Sequence, residues 1–502
     1  MQRRTFMKSL GVATAAGATF GILRHPRRAE AYWGEWPGDK LDAMVPPERQ
    51  AKNVLELYLY GGMNAFDTFY TVPKWGMNQQ RFLHAYYNQT VQRFGQCGFS
   101  GELTEEFAED SKGELIHLGP WVTPLRNRPD IVARMRVLVQ RHDLLPHEGA
   151  NPYALTGSRL GSPRLAGVGA SIQRHFLEQP GGRRPTPYAY VLYPGVEFPT
   201  DNVLAASAIG LHPGSARPLS VTVDPNSSLS QLLNRPAVGA NRDAYDAAID
   251  HYLAAYQQRF RPGGKGQLTR SAERSNFEFA HFARRGASEL AGVLSSDLFE
   301  QVAGSECGDN AGTDKPRMQA RMAASLLTRD TNRARYVHWI DGGLQPNPSA
   351  GHDTHDSHVQ DSSRNVTHTM QCLADIINKP GENDPGKLNL DETLIVINTE
   401  FGRTPHRQGS TGLNHWPQGM INVLIGGPIT AAERGVYGAI TEDQGYAETY
   451  ITPTENRMLV MMALGIYPFS SQTFAVGDVT GGVKNQFEAA QRLRDVYMGL
   501  KL

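Results

Sequence analysis

The sequence predicts an α/β fold: a largely parallel β-sheet covered by helices on both faces. Three observations predict it. Six short runs rich in Val, Ile, Leu and Tyr read as buried strands, most of them followed by Gly, Pro or polar turn residues. Stretches with apolar residues at helical spacing lie between them, and strands alternating with helices pack as a parallel sheet between helical layers. A chain of 502 residues that is 40% hydrophobic also buries a sizeable core. Domains of roughly 150 residues would divide that length into two to four units, but one large sheet with insertions accommodates it equally.

In chain order, the first element stands apart from the sheet. Met1-Gln-Arg3-Arg4-Thr-Phe-Met-Lys8 leads into an apolar run from Leu10 to Leu23, then Arg24, Arg27 and Arg28, then Ala29-Glu30-Ala31. A charged start, a short apolar stretch and an A-x-A site make residues 1–31 a signal peptide, and the paired arginines match a twin-arginine export signal. The expected location is the periplasm or otherwise outside the cytoplasm, with the twin-arginine machinery as a partner. The apolar run is shorter than the roughly 20 residues that cross a bilayer, so no stable membrane span is expected. The alternative is an amphipathic helix that stays attached.

The strands follow at 54–60, 135–139, 188–193, 336–340, 393–397 and 421–425. Val366, Met370, Leu373 and Ile377 share one face of a helix, and a second helix, opened by Thr454, carries Met458, Leu459 and Met462 to a stop at Gly465. Gly/Pro/polar stretches near 178–187, 261–267, 303–316, 343–351 and 379–388 read as loops. The section at about 200–330 has a mostly helical pattern and reads as an insertion into a domain running from 32 to 502.

Charge excludes one class of partner. The chain has 50 Lys+Arg and 50 Asp+Glu, and without residues 1–31 there remain 44 basic and 49 acidic residues, a net charge of −5. A mildly acidic protein with no basic block argues against nucleic acid. Cys97, Cys307 and Cys372 are widely spaced and odd in number, which points to neither a zinc ribbon nor a disulfide framework. One bridge with a leftover thiol stays open.

Ligands of a doubly wound sheet collect at the carboxyl ends of its strands, so the residues just after each strand carry the functional reading. Gly351-His352-Asp353-Thr354-His355-Asp356-Ser357-His358 follows the strand at 336–340 and offers N and O donors to an ion such as Zn, Mn or Fe, with Asp353 and His355 able to converge. A solvated polar loop is the alternative. Glu400 ends the strand at 393–397, where a carboxylate needs an ion, backbone donors or Arg403 to meet it. His415, fifteen residues on, returns to the same edge as a ligand or as a packed histidine. Asp67, after the first strand, completes a metal sphere or caps a helix.

Gly61-Gly62-Met-Asn64-Ala-Phe-Asp67-Thr68, Asp353-Thr-His355, Thr399-Glu400-Phe-Gly402-Arg403-Thr404-Pro405, His415-Trp416-Pro417 and Val436-Tyr437-Gly438-Ala439 follow the export signal in an order that resembles a bacterial exported family, domain of unknown function 1501. That family looks like a branch of the alkaline phosphatase and sulfatase superfamily. The resemblance implies a three-layer α/β/α sandwich, alkaline phosphatase-like, with a site for a divalent metal ion (Zn, Mn, Ca or Mg). Against the sulfatase strand ending T-S-D-N-G, Asn398-Thr399-Glu400-Phe401-Gly402 places Glu400 on the metal-binding Asp. Against C/S-x-P-S-R followed by T-G, the count back from Gly157 places His147 on the nucleophile and Asn151 on the Arg. The first-strand Asp-Asp is replaced by Gly61-Gly62, with Asp67 as a substitute.

The expected function is an exported metal-dependent hydrolase of phosphate or sulfate esters. Asp353, His355, Glu400, His415 and Asp67 are the candidate metal ligands, and His147 and Arg403 the candidate catalytic residues. Arg403 would clamp an anionic ester, the Gly61-Gly62 turn would present backbone N–H groups, and His147 would attack, bind a second ion or act as general acid. For His147 the alternative is a loop histidine packed beside Tyr153. The competing class is a non-catalytic exported binding or complex-forming protein that keeps the fold.

Overall fold

The computed structural model describes residues 33–36, 43–77, 103–162, 166–182, 187–195, 218–223, 241–259, 281, 314–344, 351–470 and 472–500. Residues 1–31, expected from the sequence to be a signal peptide, and most of the section at 200–330 lie outside the described residues. In chain order the strands are β1 Asn53–Leu59, β2 Glu105–Glu109, β3 Leu115–Leu118, β4 Met135–Gln140, β5 Ala189–Tyr193, β6 Leu219–Thr222, β7 Tyr336–Asp341, β8 Thr393–Asn398, β9 Gly402–Gln408, β10 Gly412–Trp416, β11 Met420–Gly426, β12 Gly435–Tyr437, β13 Ala439–Ile440 and β14 Ala447–Thr449.

Eight of them form one sheet in the order β12-β4-β11-β8-β1-β7-β5-β6, and β9 with β10, β13 with β14 and β2 with β3 form two-stranded ribbons. Within the large sheet β11 alone runs against its neighbours, pairing antiparallel with β4 and β8. The other pairings are parallel. The reversal follows from the chain path: after β8 the chain makes the β9–β10 hairpin at the sheet's edge and has to return along β11. All six expected strands are present in this sheet. Its two edge strands, β6 and β12, are four and three residues long, too short to show a period. β6 lies in the section at 200–330, which therefore supplies an edge strand as well as the helix Asn241–Arg259.

Strands β1, β7, β8 and β11 are buried at every position, as expected for strands covered on both faces. Alternate residues face opposite layers. Leu55, Leu57, Leu59, Ile395 and Ile397 pack with residues of the helices Lys315–Thr328 and His358–Asp375. Val54, Leu394, Val396 and Leu424 pack with residues of the helices Val168–Glu178 and Pro453–Ala463. This makes a three-layer α/β/α sandwich with a mainly parallel sheet. The last of these helices is capped by Thr452 in a capping box with Glu455 and has Pro453 at its start. It thus opens one residue before Thr454, because Pro suits the first helical position and Glu the third. No helix among the described residues is long and apolar enough to cross a membrane.

The second layer also buries charge. Glu56, at the centre of β1, and Arg457 are both fully inaccessible. Arg457 Nη1 donates to the two Glu56 oxygens at 2.6 and 2.8 Å, while Tyr336 Oη–H and Asn398 Nδ2–H donate at 2.6 and 2.8 Å. Beside them neither ring nitrogen of buried His338 has a hydrogen-bond partner.

A pH dependence follows. Burial pushes the imidazoles of His142, His175 and His338 down to about 4 from an ordinary 6.5. The unfolded chain takes up these protons near pH 6.5, whereas the folded chain refuses them until about pH 4, so this contribution to stability is complete above about pH 7 and is lost as pH falls from 6.5 toward 4. Denaturation midpoints are expected to drop most steeply near the middle of that range, at about pH 5. A flat profile would contradict the burial of these rings.

Candidate functional site

Because β1, β4, β7 and β8 run the same way, the segments that follow them meet at one edge of the sheet. After β1 the backbone turns through Gly61 and Gly62 at φ of 109° and 110°, a region open to glycine and strained for other residues. Space is closed there too. A Cβ on Gly61 would lie 2.2 Å from the Asp353 backbone nitrogen, and one on Gly62 would lie 2.9 Å from Arg403 Nε. The absence of side chains lets the loop at 351–358 press against the end of β1, where His352 N–H donates to the Tyr60 carbonyl at 2.9 Å.

Glu400, just past β8, is fully buried, and a carboxylate there is costly unless donors meet it. Gly61 N–H donates to Oε1 at 2.7 Å, and His147 Nδ1 lies 2.9 Å from the same oxygen. The Thr399 hydroxyl faces Oε2 at 3.2 Å. Gly61 N–H is therefore directed at Glu400 and not at open space. His147 begins the helix His147–Thr156 on the chain after β4. Its ring stacks on Tyr60 at 5.4 Å and tilts against Phe401 at 4.9 Å, while Tyr153 faces His142.

Asp353 is the hub of the cluster. Buried Arg403 donates to Asp353 Oδ1, to the Gly61 carbonyl and, at 3.1 Å, to the Leu413 carbonyl. Its guanidinium is thus directed inward, to Asp353 and not to a turn-closing pair with Glu400. His355 Nε2 and His415 Nε2 lie 3.1 and 3.4 Å from Asp353 Oδ1 and 2.8 Å from each other. His147 Nε2 is 3.5 Å from Asp353 Oδ2. The β9–β10 hairpin delivers His415 by pairing it with Arg403, and the ring stacks on Phe401 at 4.0 Å. The Asp353 and His355 side chains are 22% and 34% exposed, so the cluster opens to solvent.

The second nitrogen of each ring sets its tautomer. His355 Nδ1 lies 2.7 Å from Gln408 Oε1, and His415 Nδ1 lies 2.8 Å from the Leu145 carbonyl. Oxygen acceptors of this kind draw the N–H to Nδ1 and leave a lone pair on Nε2, as in metal-ligating histidines. Two lone pairs would then face each other at 2.8 Å beside a carboxylate oxygen. A cation at that point satisfies all three, so the residues fit a metal ion.

Electrostatics favours the charged form of His147. Burial opposes its charged form, but hydrogen bonds to Asp353 and Glu400 outweigh burial and hold it up at about 9. Burial likewise opposes the Asp353 charge, yet His147 and Arg403 hold that carboxyl well below the usual range. His147 therefore carries a proton at neutral pH while Asp353 is ionised.

Asp67 is bonded elsewhere. It is fully buried, with Oδ2 2.7 Å from His358 Nε2 and accepting from Asn64 Nδ2 at 2.9 Å. His358 Nδ1 is 2.6 Å from the Thr354 hydroxyl, so Asp67 bears on the Asp353–His355 loop from beneath. His142 belongs to the site although no motif marks it. Leu144 N–H donates to its Nδ1 at 3.1 Å, which leaves Nε2–H to donate to the Glu400 carbonyl at 2.7 Å. The only sequence signal for it was a histidine shortly after β4.

No curated protein matches the sequence. Among solved structures, the chain is similar to the phosphonate monoester hydrolase of Agrobacterium radiobacter, at 11% identity and a TM-score of 0.32, over 83% of this chain and 74% of that one. A likeness this distant leaves the site to be read from its own geometry. The family model described as "Protein of unknown function (DUF1501)" matches residues 51–465, a span that takes in every residue of the cluster. The chain therefore belongs to the DUF1501 family.

Proposed function

We propose that the protein is an exported, metal-dependent hydrolase of phosphate or sulfate esters, with Asp353, His355 and His415 as metal ligands. The observation supporting this reading is the 2.8 Å approach of two histidine Nε2 atoms beside one Asp353 oxygen, with both Nδ1 atoms committed to oxygen acceptors. Mixed nitrogen and oxygen donors suit Zn or Mn better than Ca or Mg, which prefer oxygen alone. A divalent ion bound there would polarise an ester oxygen and take up the charge that develops on it.

The chain's own residues supply the rest. His147, protonated and oriented by Glu400, holds its proton beside the cluster, where a leaving-group oxygen would need it. Glu400 in turn is fixed by Gly61 N–H and, through its carbonyl, by His142. Tyr60 and Phe401 pack against the His147 ring and fix its orientation. Arg403 balances Asp353 from the buried side.

One observation favours the alternative, a non-catalytic exported binding protein that retains an ion. Arg403 and Gly61 N–H are both used internally, so neither is free for the equatorial oxygens of a phosphoryl or sulfuryl group. Metal analysis of the purified protein together with a panel of phosphate monoesters, phosphate diesters and sulfate esters decides between them. Turnover that scales with metal content supports the hydrolase. Bound metal without turnover supports the binding protein, and a protein that takes up no metal ends both readings.

Export by the twin-arginine pathway is part of the same proposal. Changing Arg3 and Arg4 to Lys is expected to hold the precursor in the cytoplasm, and the exported protein is expected to begin at Tyr32. An N-terminal sequence starting at Met1 would refute cleavage after Ala31.

A further inference from the structure

A second group of ligating side chains lies away from the sheet edge. Asp314 caps the helix Lys315–Thr328, accepting from Arg317 N–H at 3.1 Å. His368 and Cys372 stand one turn apart on the helix His358–Asp375 and so share a face. The three are buried, with residue exposures of 6%, 8% and 1%, and Cys372 is in no disulfide. His368 follows His358 by ten residues, which is about 15 Å along the helix axis, so the group sits within the helical layer.

The geometry is that of a ligand set. His368 Nε2 lies 2.8 Å from Asp314 Oδ1 and 3.4 Å from Cys372 Sγ, and the three ligand atoms all lie within 4.8 Å of one another. Tetrahedral zinc, with bonds of about 2.0–2.3 Å, separates its ligands by about 3.3–3.8 Å. One ring nitrogen thus faces a carboxylate and a thiol together, and a single N–H cannot point along both directions. A cation at their centre answers all three. Asp314 Oδ2 is buried and makes no hydrogen bond, with Arg317 Nε at 3.2 Å and, across Oδ1, the His368 ring at 2.8 Å to answer the carboxylate's charge. The Arg317 side chain is 31% exposed and has a path to solvent when a dication takes over that role.

We propose that Asp314, His368 and Cys372 form a second, thiolate-containing site for a zinc-type divalent cation. It is a structural clamp: it fastens the start of the Lys315–Thr328 helix to the helix that follows the Asp353–His355 loop. The fourth position is left to water. Such a site stabilises the folded chain directly, since its ligands converge only after folding.

The test uses cobalt as the probe, on the full-length mature protein. The donors at the sheet edge are nitrogen and oxygen, so a thiolate-to-cobalt charge-transfer band reports the second site whether or not the first is real. The band is expected in the wild type and in His415→Ala, and is expected to vanish in Cys372→Ser and in His368→Gln while surviving Cys97→Ser. Zinc-loaded wild type is expected to melt at a higher temperature than chelator-treated protein, with that difference lost in Cys372→Ser. Cobalt-loaded wild type that shows no thiolate band overturns the proposal without recourse to any variant. A band that persists in Cys372→Ser overturns it equally.

Discussion

Replacing Arg457 by Met is expected to destabilise the protein by about 3–5 kcal/mol, the range seen when one partner of a buried ion pair is removed. Glu56 stands at the centre of a strand covered on both faces, and burial works against its charge. Arg457, with the Tyr336 and Asn398 hydrogen bonds, overcomes that and keeps its carboxyl below the usual range. Without the guanidinium the carboxylate keeps two neutral donors and has no opposite charge bonded to it. The double variant Glu56→Leu with Arg457→Met is expected to recover most of the loss, because no ion is then left in the core. Equilibrium denaturation of the wild type, both single variants and the double variant measures this as a cycle. A double variant as unstable as Arg457→Met alone would show that the pair matters for shape and not for charge.

The second large effect is on chemistry. His147→Ala is expected to lower ester hydrolysis by at least about a hundredfold, the lower end of what a positioned acid–base group contributes, while metal content stays nearly unchanged. Asp353→Asn is expected to remove metal and activity together, because Asp353 Oδ1 faces both His355 Nε2 and His415 Nε2. The contrast separates a proton donor from a ligand. Loss of metal in His147→Ala would make His147 a ligand, and full activity in a folded His147→Ala would remove it from the mechanism.

The parts of this architecture that sequence reveals are those where one physical requirement dominates locally. Strands such as Thr393–Asn398 are buried on both faces, so almost every side chain is apolar and the run stands out. Residues after the strands are drawn to one edge by parallel pairing, which is why Asp353, His355 and Glu400 stand out by position, whereas His147 is reached only through the family resemblance and His415 by its return before the next strand. What sequence hides is the choice of partner. Arg403 has Glu400 three residues away and Asp353 fifty residues away, yet it bonds Asp353, because the glycines at 61 and 62 admit the distant loop. Asp67 follows the first strand as a ligand would, but His358 reaches it from the start of a helix. His142 acts through a backbone carbonyl, a contact that no side-chain motif encodes.

The pairing of β1 has a consequence for how the chain becomes active. Gly61 and Glu400, which meet through one hydrogen bond, are 339 residues apart, and β1 finds its sheet neighbours only in β7 and β8. Contacts between segments so remote require closure of very long loops and form slowly. On a ribosome the first strand waits with its apolar faces uncovered until most of the chain has emerged, and a chain cut short before β8 would carry Gly61 without Glu400. Threading this polypeptide unfolded through a membrane would impose the same long wait again on the far side. Crossing in the folded state, which the proposed twin-arginine route provides, would confine that wait to the compartment where the chain is made.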